Sequence, residues 1–333
     1  MSSKSTRVPR RDLLKAAGLA AGVVGLGGVA EAFPTKPTNR GGMRAGEKTR
    51  VLRIAHLTDM HVQPELEAER WFGDCLRHVQ ELEDKPDIIF QGGDAIMDGL
   101  GVGVPRARLQ WDLFKKIMRS SCSLPVEHCI GNHDVWGWNQ QKSGATGREN
   151  LYGKAWAMEA LDLKERYRSF DKAGWHFIVL DSTMNAAEKI YTARLDQEQF
   201  AWLQQDLERT DKETPILIMS HIPIISASAY FDEENEKTGV WMVPDKWMHI
   251  DARRIKNLLG KYKNIKVCIS GHIHLVDRVD YNGISYLCNG AVCGNWWKGP
   301  YQEYPPGYAV INLYADGSFD HEYKAYGWQG TGG

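Results

Sequence analysis

Leu124-Pro125-Val126-Glu127-His128-Cys129-Ile130 runs directly into Gly131-Asn132-His133-Asp134, and the reading of this stretch organises the whole chain. The first seven residues read as a buried strand, and a glycine at its end lets the backbone turn sharply. Behind the glycine stand an amide with a carbonyl oxygen to offer, an imidazole, and a carboxylate able to orient that imidazole. Alone, such a tetrapeptide is equally well a hydrogen-bonded turn. The other strand ends decide between turn and chemistry.

Upstream, 51–57 has strand character and stops at Thr58-Asp59-Met60-His61. Over 65–82 the apolar residues Leu66, Phe72, Cys75, Leu76, Val79 and Leu82 recur at helical spacing. A short strand over 87–90 ends at Gln91-Gly92-Gly93-Asp94, and 106–118 is again amphipathic, with Leu109, Leu113, Phe114, Ile117 and Met118 on one side. Strand, helix, strand, helix, strand predicts an α/β sheet with right-handed crossovers. Ligands of such sheets bind beyond the carboxyl ends of the strands, where the polar motifs lie.

Downstream, 135–153 is rich in Trp, Gln, Gly and Asn and reads as a surface loop or cap. A helix is expected over 155–163, then a β-pair over 167–170 and 175–180 followed by Asp181, then a helix over 196–207. A buried strand over 215–219 stops at Ser220-His221. The segment 231–249 is acidic and then Trp-rich, as an insertion would be. Asp251 signals the start of a helix over 251–259, and a strand over 265–269 ends at Ser270-Gly271-His272-Ile273-His274. Asn282-Gly283 and Asp316-Gly317 mark two hairpins.

The strand ends therefore carry Asp59, His61, Asp94, Asn132, His133, His221, His272 and His274. The alternate spacing of Asp59 with His61, and of His272 with His274, places each pair on one side of an extended segment. With His133 set aside, four imidazoles, two carboxylates and an amide carbonyl, with no thiolate, suit Zn, Fe or Mn. Seven donors are too many for one tetrahedral ion and suit two ions sharing a carboxylate, an arrangement that serves phosphoester hydrolysis.

Asp-x-His, Gly-Asp, Gly-Asn-His-Asp, a lone His after a buried strand, and Gly-His-x-His, in this order between Asp59 and His274, resemble the calcineurin-like metallophosphoesterases. The resemblance implies an α/β fold: a four-layer sandwich of two mixed β-sheets flanked by helices, over residues 50–330. It implies that Asp59, His61 and His274 hold one metal ion and Asn132, His221 and His272 a second, with Asp94 bridging. His133 would face the phosphoryl group and protonate the leaving oxygen, with Asp134 fixing its orientation. Purple acid phosphatases carry a tyrosine three residues after the bridging aspartate and lack the histidine of the first motif. Here Met97 and His61 occupy those positions. The chain thus looks like the Asp-x-His branch, which includes class III cyclic nucleotide phosphodiesterases. The expectation is a phosphodiesterase using two divalent or trivalent ions (Fe, Mn or Zn). A phosphomonoesterase on the same fold, a nuclease and a non-catalytic scaffold are the rival readings.

Residues 1–32 resemble a twin-arginine export signal: Arg10-Arg11-Asp12-Leu13-Leu14-Lys15, an uncharged run over 16–30, and the small-residue site Ala30-Glu31-Ala32. The run is short of the ~20 apolar residues of a membrane span. Export by the twin-arginine machinery to the periplasm or beyond is expected, followed by a flexible leader over 33–49. The whole chain has formal net charge −1, and removing 1–32 leaves 36 basic against 40 acidic residues, so no basic field argues for nucleic acid. Cys288 and Cys293 are the nearest of six cysteines to a disulfide pair, although buried thiols explain cysteines in strands as well. His56, His128 and His176 fall inside strands and read as core histidines, and Asp181 as structural. Trp136, Trp138, Trp296 and Trp297 follow catalytic strand ends or the last motif; they are candidates for an aromatic wall against the substrate, with packing as the alternative.

Overall fold

A computed structural model describes residues 48–186, 189–231 and 237–330. The expected export signal, most of the leader, and 232–236 of the second insertion lie outside the described residues.

Two-sided burial explains the apolar strands. The chain forms β1 (Arg50–Leu57), α1 (Ala68–Gln80), β2 (Ile88–Gln91), α2 (Val104–Ser121) and β3 (Val126–His128). After the short helices α3 (Gln140–Ser143) and α4 (Ala155–Ala160) come β4 (Arg168–Lys172), β5 (Trp175–Leu180), β6 (Thr183–Ala186) and β7 (Ile190–Ala193). Next are α5 (Gln197–Arg209), β8 (Ile216–Ser220), α6 (Ala252–Leu259), β9 (Ile265–Ser270), β10 (Asp277–Tyr281), β11 (Ile284–Cys288), β12 (Gly307–Tyr314) and β13 (Phe319–Ala325). One sheet has the order β13-β12-β1-β2-β3 and the other β10-β11-β9-β8-β5-β4, each with parallel and antiparallel neighbours.

The sheets pack face to face. Leu52, Ile54, Ile88 and Phe90 of the first meet Phe177, Val179, Leu217, Met219, Val267 and Ile269 of the second. The intervening residues point outward: Ala55, Leu57 and Ile89 toward α1 and α2, and Ile178, Ile216, Ile218 and Cys268 toward α5 and α6. Period-two alternation with both faces buried is why β8 is apolar up to its last residue. Each fully buried Leu, Ile or Phe contributes roughly 1.5–3 kcal/mol. The result is the four-layer sandwich expected.

Local signals hold unevenly. Asp196 caps α5 by accepting from the Gln199 N–H at 2.8 Å. Asp251, read as the start signal of α6, makes no such bond; its carboxylate accepts from Leu195 N and faces His249 instead. Both expected hairpins form, as β10–β11 and β12–β13. A further hairpin, β6–β7, carries no Asn-Gly or Asp-Gly signal in its sequence. All six cysteines are free thiols, Cys288 and Cys293 included. Asp181 is fully buried between Lys154 and Arg166, a structural ion cluster beneath the 135–153 loop. No helix among the described residues is long and apolar enough to cross a membrane.

Candidate metal centre

The parallel strands of both sheets end at one cleft, and backbone hydrogen bonds stitch the ends together. Asp59 N donates to Gly93 O (3.1 Å), His61 N to Asp94 O (3.0 Å), Gly271 N to His221 O (3.0 Å) and Cys293 N to Asp59 O (3.2 Å). The backbone there is not the extended segment that alternate spacing suggested. Asp59, His61, Asp94, His272 and His274 have φ of 56°, 43°, 54°, 72° and 63°. Five residues in the left-handed region, at a cost of order 1–3 kcal/mol each, aim their side chains inward as no regular strand would. Gly131 also acts differently from expectation. Its φ is not positive; a Cβ there would collide with the Asp94 carboxylate and backbone. Gly271 is needed for the same reason against Thr58 and Asp59.

The structure brings Asp59, His61, Asp94, Asn132, His221, His272 and His274 to this cleft. His61 Nε2 lies 3.2 Å from His274 Nε2 and 3.7 Å from Asp94 Oδ2. His221 Nε2 lies 3.2 Å from both Asp94 Oδ2 and Asn132 Oδ1, and His274 Nε2 lies 3.5 Å from Asp59 Oδ1. Donors ~2.0–2.2 Å from a common ion stand about 3–3.5 Å apart, so this spacing fits cations. Asp94 faces donors on both sides, as a shared carboxylate must.

The outer atoms are pinned. Asp59 Oδ2 accepts from Thr58 Oγ1 and His272 N, while Asp59 Oδ1 is buried with no hydrogen-bond partner among the described residues. An orphaned carboxylate oxygen aimed at imidazoles is what a cation would satisfy. His221 and His274 each donate through Nδ1 to a carbonyl, of Gly92 (2.9 Å) and Gly294 (2.7 Å). That fixes Nδ1 as a protonated nitrogen in each ring and aims Nε2 at the cluster.

The electrostatics of the cluster show the same demand for positive charge. Burial raises the Asp59 and Asp94 carboxyls, but His274 beside the first and His221 beside the second hold both well below the usual range. Burial pushes His61 and His272 down, the latter to about 3. Burial also opposes a charge on His221, yet Asp94 and Asp59 outweigh it and lift that imidazole to about 9. A proton on His221 stands where a cation would.

His133 reaches the cleft from the side, its ring 4.7 Å from that of His61. Its Nδ1 donates to the Met97 carbonyl at 2.6 Å, so Nε2 is the atom left to work. Asp134 does not orient this ring, contrary to expectation. It is fully buried and accepts from the backbone N–H groups of Asp94, Gly131, Ala95 and Ile96. Burial and then the Asp94 carboxylate push Asp134 up against those four donors. With both oxygens accepting, the site holds the carboxylate form.

The four tryptophans divide. Trp136 is buried in the core beneath the 135–153 loop, with Nε1 donating to Val102 O. Trp297 is fully buried and donates to His61 O. Trp138 packs against Leu100, Tyr191 and Ile222 behind the cleft, under the Lys154 ammonium. Trp296 alone of the four lines the cleft, which measures ≈190 Å³. An amphipathic ring next to a motif has two places to go, and only packing chooses.

Other residues at the cleft carried no sequence signal. Tyr191, Trp247 and Tyr301 line it from distant segments. The Cys293 thiol lies with the ligand atoms of His61 and His274 inside a 4.8 Å group. Of the strand histidines, His56 meets Asn289 and His128 meets Gln91, but His56 Nε2 has no partner among the described residues. His176 sits between Asp171 and Asp206.

Comparison with known proteins bears on this arrangement. Residues 52–276 match the calcineurin-like phosphoesterase family model. Among curated relatives, a 3′,5′-cyclic adenosine monophosphate phosphodiesterase (CpdA) of Haemophilus influenzae is 23% identical over 82% of this chain and 90% of its own. A protein of Arcobacter nitrofigilis named "Probable glycerophosphodiester phosphodiesterase GpdQ" is 23% identical over 70% of this chain and 76% of its own. A solved dimetal phosphatase from Danio rerio superposes with TM-score 0.55 and 17% identity, covering 83% of this chain and 97% of its own. That likeness concerns the fold. The chain belongs to the calcineurin-like phosphoesterase family and is a metal-dependent phosphoester hydrolase.

Proposed function

We propose that this calcineurin-like phosphoesterase is an exported phosphodiesterase that works with two metal ions at the cleft. Asp59, His61 and His274 would hold one ion and Asn132, His221 and His272 the other, with Asp94 between them. Fe, Mn or Zn suits these nitrogen and oxygen donors. The carrying observation is the convergence of seven donors from five strand ends on one cleft, where Asp59 Oδ1 has no hydrogen-bond partner among the described residues and lies 3.5 Å from His274 Nε2. The relatives named as diesterases support a diester substrate.

When bound, the ions supply Lewis-acid chemistry, activating water and neutralising charge that gathers on the phosphoryl oxygens. The chain's own residues do the rest. His133, held by the Met97 carbonyl, presents Nε2 to the leaving oxygen and delivers a proton there. Asp134 acts through the backbone, holding the Asp94 and Gly131 turns in register so that the Asp94 carboxylate stays between His61 and His221. With Met97 where a purple enzyme has tyrosine, no charge-transfer colour is expected.

The test is a metal-reconstituted panel of bis-p-nitrophenyl phosphate, p-nitrophenyl phosphate and cyclic nucleotides. Turnover of the diesters above the monoester supports the reading, and monoester preference refutes it. Export rests on residues 1–32. Arg10→Lys with Arg11→Lys should retain a fused reporter in the cytoplasm, and unchanged export would refute the twin-arginine route.

A further inference from the structure

One wall of the cleft is aromatic, and it is built onto the ligand rings themselves. Trp296 leans over the His274 imidazole (4.6 Å between centroids, planes tilted by 35°) and lies 6.0 Å from that of His61. Tyr301 stands nearly perpendicular to both, 5.9 Å from His274 and 5.8 Å from Trp296. Trp247 lines the same cleft. Tyr191 reaches it too, but the Lys246 ammonium already lies 5.0 Å from its ring.

A strained turn fixes Trp296 in place. Trp296 and Trp297 have φ of 45° and 65°, a region bulky side chains rarely adopt. Trp297 is locked below by its bond to His61 O and by Trp297 N donating to Cys293 O, which leaves Trp296 over the ligand rings.

Three properties define what this corner accepts. It adjoins the metal ligands, so it touches only groups a few bonds from phosphorus. No lysine or arginine among the described residues lines the cleft, so none of them offers a permanent positive charge to a second phosphate or a carboxylate. The cleft volume of ≈190 Å³ is small for a ligand site, where ~300 Å³ is the usual lower end. A nucleobase wants one long flat slot, which rings at 79° do not provide. A compact organic cation suits all three, because the faces of aromatic rings attract cations.

Resting on the diesterase reading, we propose that Trp296, Tyr301 and Trp247 form a subsite for an alkylammonium group on one ester arm, making diesters of amino alcohols the preferred substrates. The decisive comparison is p-nitrophenyl phosphocholine against p-nitrophenyl 3,3-dimethylbutyl phosphate, in which carbon replaces the cationic nitrogen. The isostere carries more net negative charge, so a cationic metal centre by itself favours it. The zinc-loaded protein should nevertheless prefer the choline ester by about 5- to 30-fold in kcat/KM, the range of a desolvated cation–π contact. Trp296→Leu should bring the ratio toward one, and Trp296→Phe should keep most of it. Saturation-transfer NMR with tetramethylammonium reads the subsite without turnover: a signal in the parent and none in Trp296→Leu is expected. Equal kcat/KM for the two esters, with bis-p-nitrophenyl phosphate still hydrolysed, overturns the subsite and leaves the diesterase standing. Absence of tetramethylammonium transfer overturns it whatever the turnover.

Discussion

Replacing Asp134 separates two accounts of the Gly-Asn-His-Asp motif. If the carboxylate oriented His133, its loss would act on proton transfer; in the structure it acts on four backbone donors. Oδ2 accepts from Asp94 N (2.9 Å) and Gly131 N (2.8 Å), and Oδ1 from Ala95 N (2.8 Å) and Ile96 N (3.3 Å). Alanine would leave these N–H groups buried without acceptors. At ~1 kcal/mol each, the low end for an unsatisfied buried group, the loss is about 4 kcal/mol. That is a large fraction of a typical domain's ~5–15 kcal/mol. Asparagine keeps one carbonyl oxygen for two donors and turns its NH₂ toward the other two, so about 2–3 kcal/mol is expected. Urea unfolding gives the stability, mass spectrometry the bound metal, and a pH–rate profile the state of His133. Asp134→Asn should lose stability and metal while the residual activity keeps the parental pH profile, because Met97 O still holds the ring. Parental stability combined with a displaced profile would refute the backbone role.

Asp94→Ala should lose metal and turnover together, since its carboxylate faces His61 and His221 at once; full metal content by elemental analysis would contradict this. His133→Ala should keep its metal while kcat falls by about 10²–10⁴, the usual worth of acid–base assistance. A fall in bound metal would mark His133 as a ligand instead. His176 offers a pH test away from the site. Burial opposes its charge, but Asp206 and Asp171 outweigh it and raise its pKa. That stabilisation is complete below the unfolded value of about 6.5 and disappears as pH rises through the higher folded value. The Tm difference between the parent and His176→Gln should therefore be larger at pH 5.5 than at pH 9, and a constant gap would dismiss the ion pairs.

Secondary structure and the donors were legible in the sequence for a physical reason. A strand buried on both faces, such as Ile216–Ser220, is apolar until its last residue, so the polar residues that end it stand out. Hairpin dipeptides announce themselves because positive φ restricts the residue types. What needed the tertiary structure is everything set by partners far away in the chain. The Asp134 carboxylate looks the same whether it meets an imidazole or four N–H groups. The left-handed backbone at Asp59, His61, Asp94, His272 and His274 is imposed by strand ends bonding to one another, not by local preference. Whether a tryptophan fills the core, as Trp136 and Trp297 do, or walls the cleft, as Trp296 does, depends on space left by other elements. The sequence by itself determined which atoms are available for chemistry. Only folding decided which of them meet, because proximity across two hundred residues is a property of packing and not of spacing.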